Sequence, residues 1–333
     1  MNQPEALEDT FKVLMEDSAL TTVASRLSSG HFKRIILTGM GSSFYALYPL
    51  YLQLIGSGYR TAAVETSELV HYMPNLFDQD TIILAVSQSG FSAEMLRLIE
   101  VNDHRGTIIA VTNTPDSPLA RHADVSFLIH AGAESAVSTK TYVATLMALE
   151  WVGAVLRKSK CEDVIDELAL AAAAVGSYLK NWREHVEGAL ARMEGIQQLF
   201  LVGRGPSMAA VSTGGLILKE STHFHAEGMN SAAFRHGPFE LLNEGCFVLT
   251  FLGDARTGIL NRNLARDVEK HGGIGQLVSE GESCSTFRLP SVPPRLLPIV
   301  EILPVQMISL ALAAHAGREA GRLTLATKVT TTE

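Results

Sequence analysis

The chain has 333 residues, 47% hydrophobic and 19% charged, which is enough apolar material for two ordinary cores and excludes a disordered chain. Its net charge of −8 and pI of about 5.8, with no basic run, exclude non-specific nucleic-acid binding. Three scattered cysteines, Cys161, Cys246 and Cys284, form no CxxC pair, and Met1-Asn2-Gln3-Pro4-Glu5 opens no signal peptide, so a reducing, cytoplasmic setting is expected.

Leu7, Phe11, Leu14 and Met15 mark one face of an N-terminal helix. Arg34-Ile35-Ile36-Leu37-Thr38 reads as a first strand, running into Gly39-Met40-Gly41-Ser42-Ser43 and then a helix from Phe44 to about Ile55. Pro49 should kink that helix or delay its start. Gly39-x-Gly41-x-x-Phe44 is a broken dinucleotide fingerprint, because its third glycine is Phe44, but a glycine and serine loop still makes one wall for a small anion. A second strand lies near Thr61 to Glu65.

Thr81 to Val86 is a continuous apolar strand, and Met95, Leu96 and Ile99 recur at helical spacing after it. Between them sits Ser87-Gln88-Ser89-Gly90-Phe91-Ser92. Three hydroxyls and the first N–H groups of a helix converge there, a phosphate cradle that needs no lysine. Gly90, lacking a Cβ, would let an anion approach the backbone. The plainer alternative is a serine-rich turn that only caps the helix.

Further strands fall at Thr107 to Thr112 and Asp124 to His130, with helices between. This β-α alternation predicts parallel sheets covered on both faces. Glu134-Ser135-Ala136-Val137-Ser138-Thr139-Lys140 precedes a long helix from about Thr141 to Lys158. Cys161 to Arg192 reads as an Ala-rich helical connection.

The pattern then returns. Gly39 and Gly203, Gly41 and Gly205, and Ser43 and Ser207 are each 164 residues apart. The same offset carries Val86 onto Thr250, the end of a strand from Cys246, and sets Asp254 where the first copy has Gly90. The second copy has lost the serines. Pro298 to Ala316 is apolar but carries Glu301, Pro304 and Gln306, so a buried core helix is expected rather than a membrane span.

Gly41-Ser42-Ser43, Ser87-Gln88-Ser89-Gly90-x-Ser92, Ala136-Val137-Ser138-Thr139-Lys140, Lys219-Glu220-Ser221 and His236-Gly237-Pro238 stand in one order over nearly the whole chain. In that order they resemble the sugar isomerase (SIS) domain family in tandem, nearest to the isomerase half of glucosamine-6-phosphate synthases and to ketosamine-6-phosphate deglycases. The resemblance implies an α/β fold of two tandem SIS domains, each a flavodoxin-like three-layer αβα sandwich around a parallel sheet. The expected layout is a helical segment over 1–30, a first SIS domain over 31–160, a helical connection over 161–192 and a second SIS domain with a C-terminal tail over 193–333. It implies a sugar 6-phosphate held by Ser87, Gln88, Ser89 and Ser92 and bordered by Ser42, Ser43, Ala136 and Ser138. Glu220 would be the base, and His236 would assist ring opening from the other subunit of a homodimer. A carboxylate tuned by burial and a histidine near neutral pH suit those roles. No cofactor, metal, nucleic acid or membrane is expected. His223-x-His225-x-Glu227 could present three ligands on one side of an extended segment, but a cleft-lining role is preferred.

With only Met1 to Lys33 ahead of the first strand, neither a glutaminase domain nor a helix-turn-helix is expected. The synthase pattern also breaks. Ile217 stands at its lysine three residues before the glutamate, and Thr213 at a glutamate one turn earlier. The tail reads Ala326-Thr327-Lys328-Val329-Thr330, with its lysine displaced by one and turned to the opposite side of an extended tail. These departures favour a deglycase acting on an amine-substituted hexose 6-phosphate. The alternatives are an aldose–ketose isomerase without glutaminase and a non-catalytic phosphosugar-sensing regulator.

Overall fold

The computed structural model describes the chain apart from residues 1, 15–18, 135–136, 282, 326, 331 and 333. It divides into two compact units. The first comprises residues 2–135, 139–172 and 325–333, and the second comprises 136–138 and 173–324. The N-terminal helices and the tail thus join the first unit, and the division between 172 and 173 falls inside the expected connection.

The first unit holds β1 (Arg34–Gly39), β2 (Thr61–Glu65), β3 (Thr81–Val86), β4 (Thr107–Thr112) and β5 (Val125–Leu128). All pairings are parallel, in the order β2-β1-β3-β4-β5. β3 lies at the centre and is buried at every position, which is why it reads as an unbroken apolar run rather than an alternating one. Side chains alternate across it: Ile83 and Ala85 join Ile36, Ile108 and Ala110 in one core with Met95 and Leu98. The Lys140–Leu156 helix is buried along nearly its whole length and packs against the sheet, so it shows no polar stripe.

In the second unit, β6 (Gln198–Gly203), β7 (Ala226–Asn230), β8 (Cys246–Phe251) and β9 (Ile274–Val278) pair in parallel in the order β7-β6-β8-β9. This is the first sheet's pattern without its last strand. The segment Pro294–His315 is long and apolar enough to cross a membrane, but 89% of its apolar window is buried inside the protein. It is a core helix, with Glu301 fully buried within it.

Several boundaries differ from expectation. Pro49 splits its helix into Gly41–Ala46 and Tyr48–Gly56, sitting in the first turn of the second piece where its missing N–H costs nothing. The N-terminal segment forms two helices, Gln3–Leu14 and Ala19–Ser28, and Met15 lies outside the described residues. The Ala-rich connection is three helices, Cys161–Leu168, Ala171–Leu179 and Trp182–Met193. The repeat slips by one residue between its strands. Gly39 pairs with Val86 in the first sheet, whereas Val202 pairs with Thr250 in the second, so Val86 corresponds to Phe251 and Asp254 to Ser89. The glycines before the slip keep the same conformation: Gly41 and Gly205 both take left-handed φ, +52° and +59°.

Candidate functional site

In an open parallel sheet, ligands bind outside the carboxyl ends of the strands where the strand order reverses. In the first unit that point lies between β1 and β3. The loops leaving those two strands are Gly41-Ser42-Ser43 and Ser87 to Ser92. The topology therefore brings both predicted serine segments to one place.

Ser42 and Ser43 are half-buried in the Gly41–Ala46 helix, and the Ser43 N–H donates to the Met40 carbonyl at 3.1 Å. Gly39 is required by close packing, since a Cβ there would lie 3.0 Å from the Val86 carbonyl oxygen and 3.1 Å from the Phe44 nitrogen. Tyr45 follows on the same helix. Burial, then the neighbouring Glu65 carboxylate, push its hydroxyl pKa up, so it stays a neutral donor.

The Ser87 to Ser92 loop closes on itself. Ser87, buried, accepts the Gly90 N–H at 3.1 Å, and Ser89 accepts the Phe91 N–H at 3.2 Å. A hydroxyl that accepts still has its own proton to donate. The Gln88 carbonyl accepts the Asn113 N–H at 3.0 Å, which ties the loop to the end of β4, while its side chain is half-buried. Ser92 occupies the N-cap of the Ala93–Asn102 helix, yet its side chain makes no capping bond. A turn that existed only to cap would use that hydroxyl on its own helix.

Gly90 has a different reason from the one expected. Its φ is +66°, and a Cβ there would lie 2.3 Å from the Ser117 Oγ and 2.6 Å from the Ser117 Cβ. The vacancy is taken by buried Ser117, not left for an anion. The helix end is also shared. Ala93 donates its N–H to the Thr330 carbonyl at 3.0 Å, so the C-terminal tail uses one of the donors of the first turn.

Lys328 of that tail lies 3.9 Å from a carboxylate oxygen of Glu134, with both side chains largely buried. Glu134 in turn accepts from the Thr139 N–H at 2.9 Å, the Thr139 Oγ1 at 2.8 Å, the Lys140 N–H at 2.9 Å and the Thr141 hydroxyl. The displaced lysine is thus directed at the carboxylate that caps the Lys140–Leu156 helix. Sequence reasoning missed Glu134, Ser117 and Thr330 as supports, because each acts on a segment that only folding brings near. The one available signal was an acidic residue shortly before a helix start.

The remaining predicted residues distribute as follows. Ala136 lies outside the described residues. Ser138 is half-buried and belongs to the second unit. Glu220 is half-buried near the end of the Met208–Thr222 helix of the second unit. His236 is exposed in the turn after the Ser231–Phe234 helix, its N–H on the Ala233 carbonyl at 2.9 Å. Ile217 is buried in the second unit's core. His223 does not lie on an extended segment with His225 and Glu227. It ends the Met208–Thr222 helix at φ +56°, and its Nε2 lies 3.2 Å from the Thr324 Oγ1. Among the described residues no cluster of His, Cys, Asp or Glu could hold a metal.

Residues 31–153 match the SIS domain family. The chain carries a SIS domain. The matched range contains β1 to β5 and both serine loops, so the switch-point loops lie within the matched domain. The chain is 29% identical over 339 residues to glutamine–fructose-6-phosphate aminotransferase (isomerizing) of Pyrococcus horikoshii, covering 96% of this chain and 54% of that protein. It spans about half the length of the curated relatives it matches. The C-terminal domain of glucosamine-fructose-6-phosphate aminotransferase from Francisella tularensis superimposes with a TM-score of 0.85 at 21% identity, over 96% of this chain and 95% of that one. Tagatose-6-phosphate ketose/aldose isomerase from Escherichia coli does so with a TM-score of 0.80 at 18% identity, over 97% and 94%. The α/β SIS fold therefore extends beyond the matched domain to the second sheet.

Proposed function

We propose that this protein is a phosphosugar enzyme that releases an amine from a ketosamine 6-phosphate. The observation that carries the reading is the serine loop at the switch point, where the Ser92 hydroxyl is withheld from its own helix and Ser87 and Ser89 keep protons to donate. Hydroxyls and a helix N-terminus suit a phosphate in a chain of net charge −8, because the local donors decide the matter. The relatives' names point to sugar 6-phosphates and to amination or ketose–aldose chemistry.

In this reading Glu220 takes a proton from the carbon that bears the nitrogen and returns it to the neighbouring carbon. The keto oxygen takes up one proton, and the substrate nitrogen gives up its own. The product is an imine, which water cleaves to an aldose 6-phosphate and a free amine. His236 assists ring opening from the partner subunit of a homodimer. No enzyme amine is needed, which agrees with Lys328 facing Glu134 and with Ile217 in place of a lysine. The free thiols, Cys246 buried and Cys284 half-buried, suit a reducing cytoplasm.

The test is incubation with fructosamine 6-phosphates, measuring glucose 6-phosphate and released amine, for wild type and Glu220→Gln. We expect amine release that falls at least about 10²-fold in the variant, with ligand binding retained. Fructose 6-phosphate to glucose 6-phosphate interconversion without ketosamine cleavage would establish the isomerase reading instead. Tight phosphosugar binding without turnover of either would establish a sensor.

A further inference from the structure

The second sheet carries a cavity of its own. Its volume is about 320 Å³, and it lies at the carboxyl ends of β8 and β9, lined by Leu252, Asp254, Val278, Glu280, Val292 and Glu301 among others. This is the edge of the sheet that corresponds to the serine-loop edge of the first unit, and it lies wholly within the second unit. The chemistry has been exchanged, with carboxylates where the first unit presents hydroxyls.

Glu301 is the informative group. It is 0% exposed, it lines the cavity, and only one of its oxygens is bonded, Oε1 accepting from the Ser207 Oγ at 2.7 Å. Oε2 is buried and has no hydrogen-bond partner among the described residues. A buried carboxyl oxygen without a partner is costly unless something else fills the role. Burial, only partly offset by the Ser207 bond, and the charge of Asp254 push its pKa up to about 8.

Charge then selects the ligand. Asp254 and Glu280 share the lining with Glu301. Arg256 is exposed and already paired with Asp254 at 2.8 Å. With Asp254 paired to Arg256, the charge left at the lining is that of Glu280, and Glu301 holds its proton while the site is empty. An anion finds no cationic side chain among the lining residues, whereas an ammonium group can take the place of the Glu301 proton and leave a paired carboxylate. Apart from Ser279, whose hydroxyl is bonded to Ser283 at 2.9 Å, the other side chains of the lining, from Leu252 and Val278 to Val292 and Leu297, are apolar.

We propose that the cavity at the carboxyl ends of β8 and β9 is a second ligand site, which takes a small primary amine with an apolar body and seats its ammonium group on Glu301. On binding, Glu301 releases its proton to solvent, the ammonium group donates to the Oε2 that this frees, and the apolar body covers Leu252 and Val292. The proposal does not depend on which reaction the SIS domain supports.

Calorimetric titration with benzylamine, benzyl alcohol and inorganic phosphate tests it. We expect benzylamine to bind, benzyl alcohol to bind at least about tenfold more weakly because it brings no charge, and phosphate not to bind there. Glu301→Gln preserves shape and can still accept from Ser207, and it should weaken benzylamine by about tenfold or more. Val292→Trp, which fills the mouth, should abolish binding, with circular dichroism confirming the fold of both variants. Glucose 6-phosphate should not displace the amine. Absence of benzylamine binding, equal binding of amine and alcohol, indifference to both substitutions, or displacement by glucose 6-phosphate would each overturn the proposal.

Discussion

Single hydroxyls in the serine loop divide between bonding the loop's own backbone and leaving it unbonded. Ser87 and Ser92 represent the two cases, one accepting the Gly90 N–H and the other making no capping bond. Each hydrogen bond to a charged group is worth about 1.5–3 kcal/mol. Ser87→Ala combined with Ser92→Ala should therefore weaken sugar-phosphate binding by tens-fold or more in a calorimetric titration, with the melting transition still cooperative. Unchanged affinity would move the phosphate elsewhere. Gly90 is a packing requirement. Gly90→Ala forces a methyl group against Ser117 at a left-handed φ, and it should cost about 2–4 kcal/mol in denaturant unfolding. Ser117→Gly in the same chain removes the obstructing atoms and should recover a measurable part of that loss. No recovery in the double variant would show that the φ alone sets the cost.

Helix ends and helix cores carry the next level. Glu134 bonds three groups at the start of the Lys140–Leu156 helix and the Thr141 hydroxyl as well, so Glu134→Ala should lower stability by about 2–4 kcal/mol. Lys328→Ala leaves those four bonds in place, so it should cost less than Glu134→Ala. Equal losses in the two variants would make the tail, not the cap, the structural element. In the Leu297–His315 helix, Glu301 has a native pKa of about 8 against an ordinary 4.5, raised first by burial and then by Asp254. Between those values the native chain holds a proton that the unfolded chain has released. Stability from this group is therefore full below the lower value and is lost as pH rises through the higher one. Urea unfolding of wild type should lose on the order of a few kcal/mol relative to Glu301→Gln between about pH 5 and about pH 9. A constant difference across that range would mean that Glu301 is ionised in the native state.

For the molecule as a whole, the proposed role of His236 requires a second subunit. The residue is exposed in its own unit, in a turn whose Gly237 has a φ of +132°. Mixing Glu220→Gln protein with His236→Ala protein should restore part of the ketosamine-cleaving activity through hybrid dimers. A monomer by light scattering at the assay concentration, with full wild-type activity, would remove the shared-site element while leaving the SIS domain assignment intact. The SIS fold over both sheets, together with the loss of serines in the second copy, makes this a molecule whose two halves share architecture and differ in the side chains at the carboxyl ends of their strands.

Much of this was legible in the residues alone. β3 is visible as six apolar residues, because a central parallel strand is buried on both faces and cannot alternate. The serine loop is visible for the same reason: the connection at a switch point directly follows such a strand. The repeat is visible in glycines, whose left-handed φ at Gly41 and Gly205 admits few other residues. What only the tertiary structure decided depends on groups distant in sequence. The one-residue slip of the repeat appears in strand pairing. The reason for Gly90 lies in Ser117, and the partner of Ala93 lies in the tail at Thr330. The orientation of Lys328 was expected from an extended tail, but the tail bends and an ion pair with Glu134 sets it. The cavity beside Glu301 has no signature in sequence, because a buried carboxyl is recognised by what surrounds it, and local pattern records periodicity but not which distant atoms fold against it.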